Sequence, residues 1–254
     1  MSPAAISRLE KLEPITLAEM DSVKLLNRTD TKYITTEAGL ERLLLAAEDG
    51  YRALVTEEGK ICTYDTVYYD TPELQMYLDH HNRRLTRKKV RVRTYVGSGE
   101  TFLEIKLKNN HGRTRKKRTG CTLDNIFGNG RDRFLFEKSG YSPSELSPGV
   151  RTAFRRITLV NNDLTERLTI DTALEFENLR NGNVAGLGSA VIIELKQDGR
   201  SDDRTKFLLR DLGIKPFKLS KYCIGTAMTS PAFKQNRFKA KIRHIEKITN
   251  TQTI

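Results

Sequence analysis

The clearest pattern along the chain is a two-residue alternation of apolar and charged positions. In "RKKVRVRTY" (residues 87–95), Val90 and Val92 share one face of an extended strand and Val96 continues the row, while Arg91, Arg93 and Tyr95 share the other. "FLEIKLK" repeats the arrangement, with Leu103, Ile105 and Leu107 set against Glu104, Lys106 and Lys108. "RTRKKRTG" predicts a third basic strand with Thr114, Lys116 and Arg118 on one face. In the second half, Arg167, Thr169 and Asp171 fall together, and Ile192, Glu194 and Lys196 oppose Val191, Ile193 and Leu195. Further strands are expected over 30–36, over 66–69 and through "RTAFRRITLV", with a hairpin at 161–163. Helical spacing appears at Leu40, Leu43, Leu44 and Ala47, again over 73–80, and again over 205–212, besides a short helix around 17–26. The sum is a largely antiparallel sheet with helices inserted between strands. A lead-in over 1–20, a main domain over 21–230 and a basic tail over 231–254, either a surface helix or disordered, follow from that layout.

Charge changes this picture. Lys and Arg total 44 against 32 Asp and Glu, a formal net charge of +12, which favours anionic partners. A polar strand face bathed in water is the ordinary arrangement. Such a face mixes signs, whereas here one sign dominates strand after strand. If these faces point inward, two cations about 8 Å apart repel by roughly 2 kcal/mol at an effective dielectric near 20. Many of them in one cavity make sense only around a polyanion, and arginine forks and ammonium groups match phosphate oxygens. The cationic strands carry few aromatics besides Tyr95, which argues against stacked nucleic-acid bases. No G-x-G-x-x-G or P-loop run is present. Cys62, Cys121 and Cys223 are odd in number and widely spaced, so they read as buried small hydrophobes in a reducing compartment. The adjacent His80 and His81 read as surface residues rather than a metal pair. No apolar run approaches a membrane span and the N-terminus lacks a secretory pattern, so a cytoplasmic location is expected.

The segments "RTDTKY", "YYDTPELQMY", "KVRVRTY", "FLEIKLK", "TRKKR", "RTAF", "ERLTID", "VIIELK" and "KLSKY" follow one another between about residues 24 and 228. With them the chain resembles the catalytic domain of the vacuolar transporter chaperone (VTC) polyphosphate polymerases, within the triphosphate tunnel metalloenzyme (CYTH-like) superfamily. The resemblance implies an α+β fold, an antiparallel β-barrel tunnel with helices packed on the outside. It implies a metal-dependent phosphotransferase that moves the γ-phosphate of ATP onto a growing polyphosphate chain. Carried over by motif, the catalytic cations are Lys32, Arg91, Arg93, Lys106, Arg151, Arg167 and Lys221. Lys108, Lys116, Arg118, Lys196 and Lys218 join them in substrate binding, with Lys218 competing with Lys221 for one position. Glu194 matches the metal-binding glutamate, for Mn²⁺ or Mg²⁺. Glu104 and Asp171 stand between metal contact and salt-bridge partner, and Tyr33, Tyr69 and Tyr222 read as packing residues.

Hydrolytic relatives open with a Glu-x-Glu-x-Lys strand. "RTDTKY" keeps only the lysine, which favours a polymerase over the alternatives, a tripolyphosphate or nucleoside-triphosphate hydrolase and a non-catalytic polyphosphate binder. The implied partners are ATP and inorganic polyphosphate, with no specific nucleic acid. The SPX domain and membrane segments of eukaryotic family members are absent from this chain, so it is expected to act free or beside a separate membrane partner.

Overall fold

A computed structural model describes residues 1–21, 29–198, 202–231 and 233–250. Residues 22–26 of the expected N-terminal helix and Arg28 of "RTDTKY" lie outside the described residues. In chain order the elements are α1 (Pro3–Lys11), β1 (Glu13–Ile15), α2 (Leu17–Asp21), β2 (Thr29–Thr36), α3 (Glu37–Ala46), β3 (Tyr51–Leu54), β4 (Cys62–Asp70) and α4 (Gln75–His81). There follow β5 (Arg87–Tyr95), β6 (Thr101–Lys108), β7 (Thr114–Cys121), α5 (Arg131–Ser139), β8 (Ser147–Asn161) and β9 (Glu166–Asn178). The chain continues with β10 (Val184–Gly186), β11 (Ala190–Gln197), α6 (Arg204–Asp211), α7 (Lys221–Thr229) and α8 (Asn236–Thr249). Helix starts follow local chemistry: Ser2 caps α1 ahead of Pro3, and the Thr36 hydroxyl accepts from the Gly39 amide at the start of α3.

The strands form one sheet whose main path runs β2-β11-β9-β8-β4-β5-β6-β7, antiparallel throughout, with β3 and β10 attached at its side and β1 parallel to β3. Among the described residues β2 and β7 do not pair, so the sheet is open and the barrel closure expected from the resemblance is not formed. The reason lies at the outer edge of β2. Tyr33 bridges to Pro216, and the Phe217 amide donates to the Lys32 carbonyl at 2.6 Å, so a loop 180 residues downstream takes the bonds a closing strand needs. The sheet nevertheless curls. Strands β2 and β5 stand five places apart, about 24 Å in a flat sheet. Yet Lys32 on β2 donates to the Leu219 carbonyl at 3.1 Å while Lys89 on β5 donates to the adjacent Ser220 hydroxyl at 2.9 Å. One dipeptide can serve both lysines only if the sheet is bent into a trough.

The convex side is where the alternating apolar residues go. Ile157, Leu159, Leu168, Ile170, Val191, Ile193 and Leu195 are buried beneath α1, α3 and α6 through Leu9, Leu40, Leu43, Leu44 and Leu209. Val90, Val92, Leu103 and Ile105 are buried in a cluster with Leu135 of α5. Helix α4 packs beside β4 and β5 and also meets α7 and α8, with Tyr77 5.7 Å from Phe238 and edge-on to Tyr222 at 6.4 Å. Buried Asp70 fixes this arrangement: it accepts from the Met76 and Tyr77 amides, each at 2.9 Å, and from the Tyr222 hydroxyl. Helix α7 enters the concave side and stops the trough at one end, Tyr222 stacking on Tyr68 at 5.0 Å. Gly225 is required there, since a Cβ would come within 2.6 Å of the Phe176 ring. The basic tail folds as α8, with Phe238, Ile242 and Ile245 buried along one stripe. His81 is half-buried against Tyr77 and Phe238 rather than free at the surface. Cys62 and Cys223 are buried, Cys121 is partly so, and all three are free. Among the described residues no helix is long and apolar enough to cross a membrane.

Candidate functional site

Cross-strand partners in an antiparallel ladder project to the same side. Lys89, Lys106 and Lys116 are neighbours in this sense, as are Arg91, Glu104 and Arg118. In the other half Lys32, Glu194 and Thr169 are aligned, followed by Asp30, Lys196 and Arg167, with Arg156 opposite Asp171. All these residues face into the trough. Like charges directly opposite each other destabilise a sheet, and this sheet sets three lysines side by side.

Of the four carboxylates among them Asp30 lies exposed near the start of β2, and two of the three inner ones are saturated by cations. Glu104 is fully buried, accepting from Arg91 Nε at 2.7 Å and from Lys116 Nζ at 2.8 Å. Asp171 is gripped by Arg156 through a fork of 2.6 and 2.8 Å and also accepts from Lys221. Both stay ionised well below the usual carboxylate range, because the attraction of those cations outweighs burial. Glu194 differs. Its nearest cation, Lys196, is 3.4 Å away, and its side chain keeps 24% of its exposure against 0% for Glu104 and 4% for Asp171. Burial opposes its charge, but Lys32, Lys196, Lys106 and Arg156 hold it ionised. Beside it, the buried Thr169 hydroxyl has no hydrogen-bond partner among the described residues. Glu194 is therefore the carboxylate with lone pairs to spare.

An aromatic floor completes the face. Tyr64 and Phe154 stack at 5.3 Å; Arg156 lies 4.9 Å and Arg93 5.3 Å from the Tyr64 ring, and Lys221 lies 4.3 Å from Phe154. Crowded cations release protons readily. Burial brings Lys196 and Lys221 down to about 8, with Arg156 adding to the effect on each. Lys106 is held well below its ordinary value, by Arg91 first and by burial second. Tyr68 is lowered to about 8, because Arg91, Lys89 and Arg93 overcome the opposing effect of burial.

These shifts fix a pH dependence. A lysine near 8 in the fold and about 10.4 in the unfolded chain leaves the unfolded state with more protons between those values, so stability rises with pH there. A bound anion recharges the lysines and reverses the trend. Ligand-free melting temperature is therefore expected to rise from about pH 8 to about pH 10, while the increment given by tripolyphosphate shrinks. Thermal unfolding with and without tripolyphosphate measures both, and an increment that grows with pH would contradict this assignment.

Of the residues expected at the site, Lys32, Arg91, Arg93, Lys106, Lys116, Arg118, Arg167, Glu194, Lys196 and Lys221 come together on the concave face. Lys108 ends the same row opposite Arg87. Arg151 does not join them. It lies exposed on the other face of β8, paired with Asp65 and Glu177. Lys218 sits outside on the exposed loop before α7, so Lys221 is the lysine of "KLSKY" that enters the trough. Sequence reasoning passed over Lys89 and Arg156. The first lies two residues before Arg91, and the second is offset by an odd number from Arg151, so plain alternation places both inward.

Fold and face together define an α+β protein built around a cation-lined trough. Residues 27–230 match the VTC domain family, and the chain belongs to that family, part of the CYTH-like triphosphate tunnel superfamily. No curated protein sequence matches it significantly. Among solved structures it is similar to a Hippeastrum protein described as a putative adenylyl cyclase with a dominant triphosphatase activity, at 14% identity and TM-score 0.49, over 78% of this chain and 94% of that one. It is also similar to a putative adenylate cyclase of Vibrio parahaemolyticus, at 12% identity and TM-score 0.44, over 76% and 94% of the two chains. A Pyrococcus horikoshii protein gives 13% and 0.44, over 77% and 98%.

Proposed function

We propose that the protein is a metal-dependent polyphosphate polymerase that transfers the γ-phosphate of ATP to the end of a polyphosphate chain. The observation that carries this reading is the imbalance of charge on one concave face. Lys32, Lys89, Arg91, Arg93, Lys106, Lys116, Arg156, Lys196 and Lys221 confront Glu104, Asp171, Glu194 and the exposed Asp30, and the first two of those carboxylates are already consumed. A row of phosphates supplies the missing negative charge along the length of the trough. Arginine forks hold equatorial oxygens of the transferred group, and lysines neutralise the two phosphate tails, so the acceptor end lies in line with the γ-phosphorus. The acceptor phosphate is already ionised near neutral pH. No general base is needed, in keeping with a face lined by cations rather than by histidine or cysteine.

The donor set fits a divalent ion held mainly by substrate. Among the described residues no group of three or more His, Cys, Asp or Glu side chains could hold a metal. Glu194 offers one free carboxylate with the Thr169 hydroxyl beside it, and phosphate oxygens and water suit the rest of a Mg²⁺ or Mn²⁺ shell. When bound, such an ion would neutralise negative charge on phosphate oxygens.

The test is incubation of pure protein with ATP and Mn²⁺, followed by gel electrophoresis and a phosphate assay. The expected product is a polyphosphate ladder with matching ADP. Free phosphate without a ladder would replace this reading with hydrolysis, and no turnover with tight polyphosphate binding would replace it with a binding role.

A further inference from the structure

The trough is stopped by the 219–221 turn and α7, but the run of cations does not stop there. Lys32 belongs to two sets. It donates to the Leu219 carbonyl at 3.1 Å; on the trough side the next residue, Ser220, accepts from Lys89 at 2.9 Å, and on the far side the preceding Lys218 carbonyl accepts from Lys241 of α8. Lys241 is seated by contacts of its own. It donates to the Lys218 carbonyl and lies 5.9 Å from the Phe217 ring, which stacks on His244 at 5.1 Å. Phe238 of the same helix meets His81 at 5.8 Å, bringing the corner after α4, with Arg83 and Arg84, alongside α8. Burial lowers the Lys241 pKa, and Arg83, Lys218 and Lys32 add to the effect. The acidic residue of α8, Glu246, is five residues on and so about 140° around the helix from Lys241. An open groove of about 760 Å³, lined by Arg83, Arg84, Thr86 and Asn110 among others, continues from this corner.

This cluster repeats the logic of the trough: converging cations, with no carboxylate facing them among the described contacts of Lys241. It differs in position, since it lies behind α7, and in origin, since α8 falls beyond the family-matched residues 27–230. We propose that Lys241, Lys218 and Arg83 form a second binding site for inorganic polyphosphate, outside the trough, on which a chain too long for the trough rests as it passes the α7 turn. Lys32 joins the two sites. The proposal rests on the polymerase reading for its ligand.

The experiment compares affinities for tripolyphosphate and for long-chain polyphosphate without ATP, using full-length protein and a Lys241→Gln/Arg83→Gln double variant. Glutamine at 241 keeps a donor for the Lys218 carbonyl, and thermal unfolding checks that the variant is folded. Long-chain affinity is expected to fall about tenfold and tripolyphosphate affinity less than about twofold. Equal losses for both ligands, or no loss for long chains, would overturn the second site. Wild-type protein that binds neither ligand would overturn the polymerase reading along with it. Wild-type protein that binds both, beside a variant that still holds long chains normally, would overturn the second site alone.

Discussion

A Glu104→Ala variant is expected to lose about 3–5 kcal/mol of stability, because it leaves Arg91 buried without its carboxylate. Glu104 is fully buried at the centre of the sheet, and both its oxygens are occupied, one by Arg91 and the other by Lys116. The Arg91 side chain is itself only 8% exposed, so water cannot replace the lost partner. Lys106 and Lys89 stand beside it, and their repulsion goes uncompensated once the carboxylate is gone. Glu104→Gln keeps shape and one acceptor, so its loss should be smaller. Urea unfolding followed by circular dichroism measures both variants. A loss below about 1 kcal/mol for the alanine variant would show that Glu104 does not hold the cationic face together.

Glu194→Gln is expected to cost less stability than Glu104→Ala, while turnover falls by about a thousandfold or more. Its carboxylate is the least engaged of the inner three, so removing its charge breaks only the longer pair with Lys196 at 3.4 Å. What disappears is the carboxylate proposed to share a divalent ion with phosphate. Metal-free binding of tripolyphosphate should persist or tighten, since a negative group leaves the midst of Lys32, Lys196 and Lys106. Initial rates with Mn²⁺ and calorimetric binding without metal separate the two effects. Full activity in the variant would remove Glu194 from the metal-binding role.

Much of this face is legible as alternation. Lys106 and Lys116, or Glu194 and Lys196, can be placed on one side of a strand by counting, and their ladders align as that counting requires. Closure of the sheet is not legible in the same way. It depends on which segment captures the edge of β2, and the captor is Pro216–Phe217, remote in sequence and without strand character. Arg151 shows a different limit: a short motif fixed its assignment, whereas strand parity turns it outward and turns Arg156 inward. Choosing between Lys218 and Lys221 required knowing where the loop ends, and Ser220, which caps α7 while accepting from Lys89, marks that point. In the tail, the density of Lys and Arg masked the spacing of Phe238, Ile242 and Ile245 that docks α8.

Among the described residues the open sheet leaves β7 bonded on one side only, by β6. An unpaired edge is a template on which another chain can add a strand. Here the edge reads Thr-Arg-Lys-Lys-Arg-Thr, exposed through most of its length, with Lys116 and Arg118 on the trough side and Arg115 and Lys117 on the reverse. Two such edges repel each other before they can exchange backbone hydrogen bonds. Resistance to edge-to-edge pairing is thus expected to reside partly in Lys116 and Arg118, side chains that also line the trough. A polyanion that screens them, or a substitution that neutralises them, would leave the edge free to recruit a second copy.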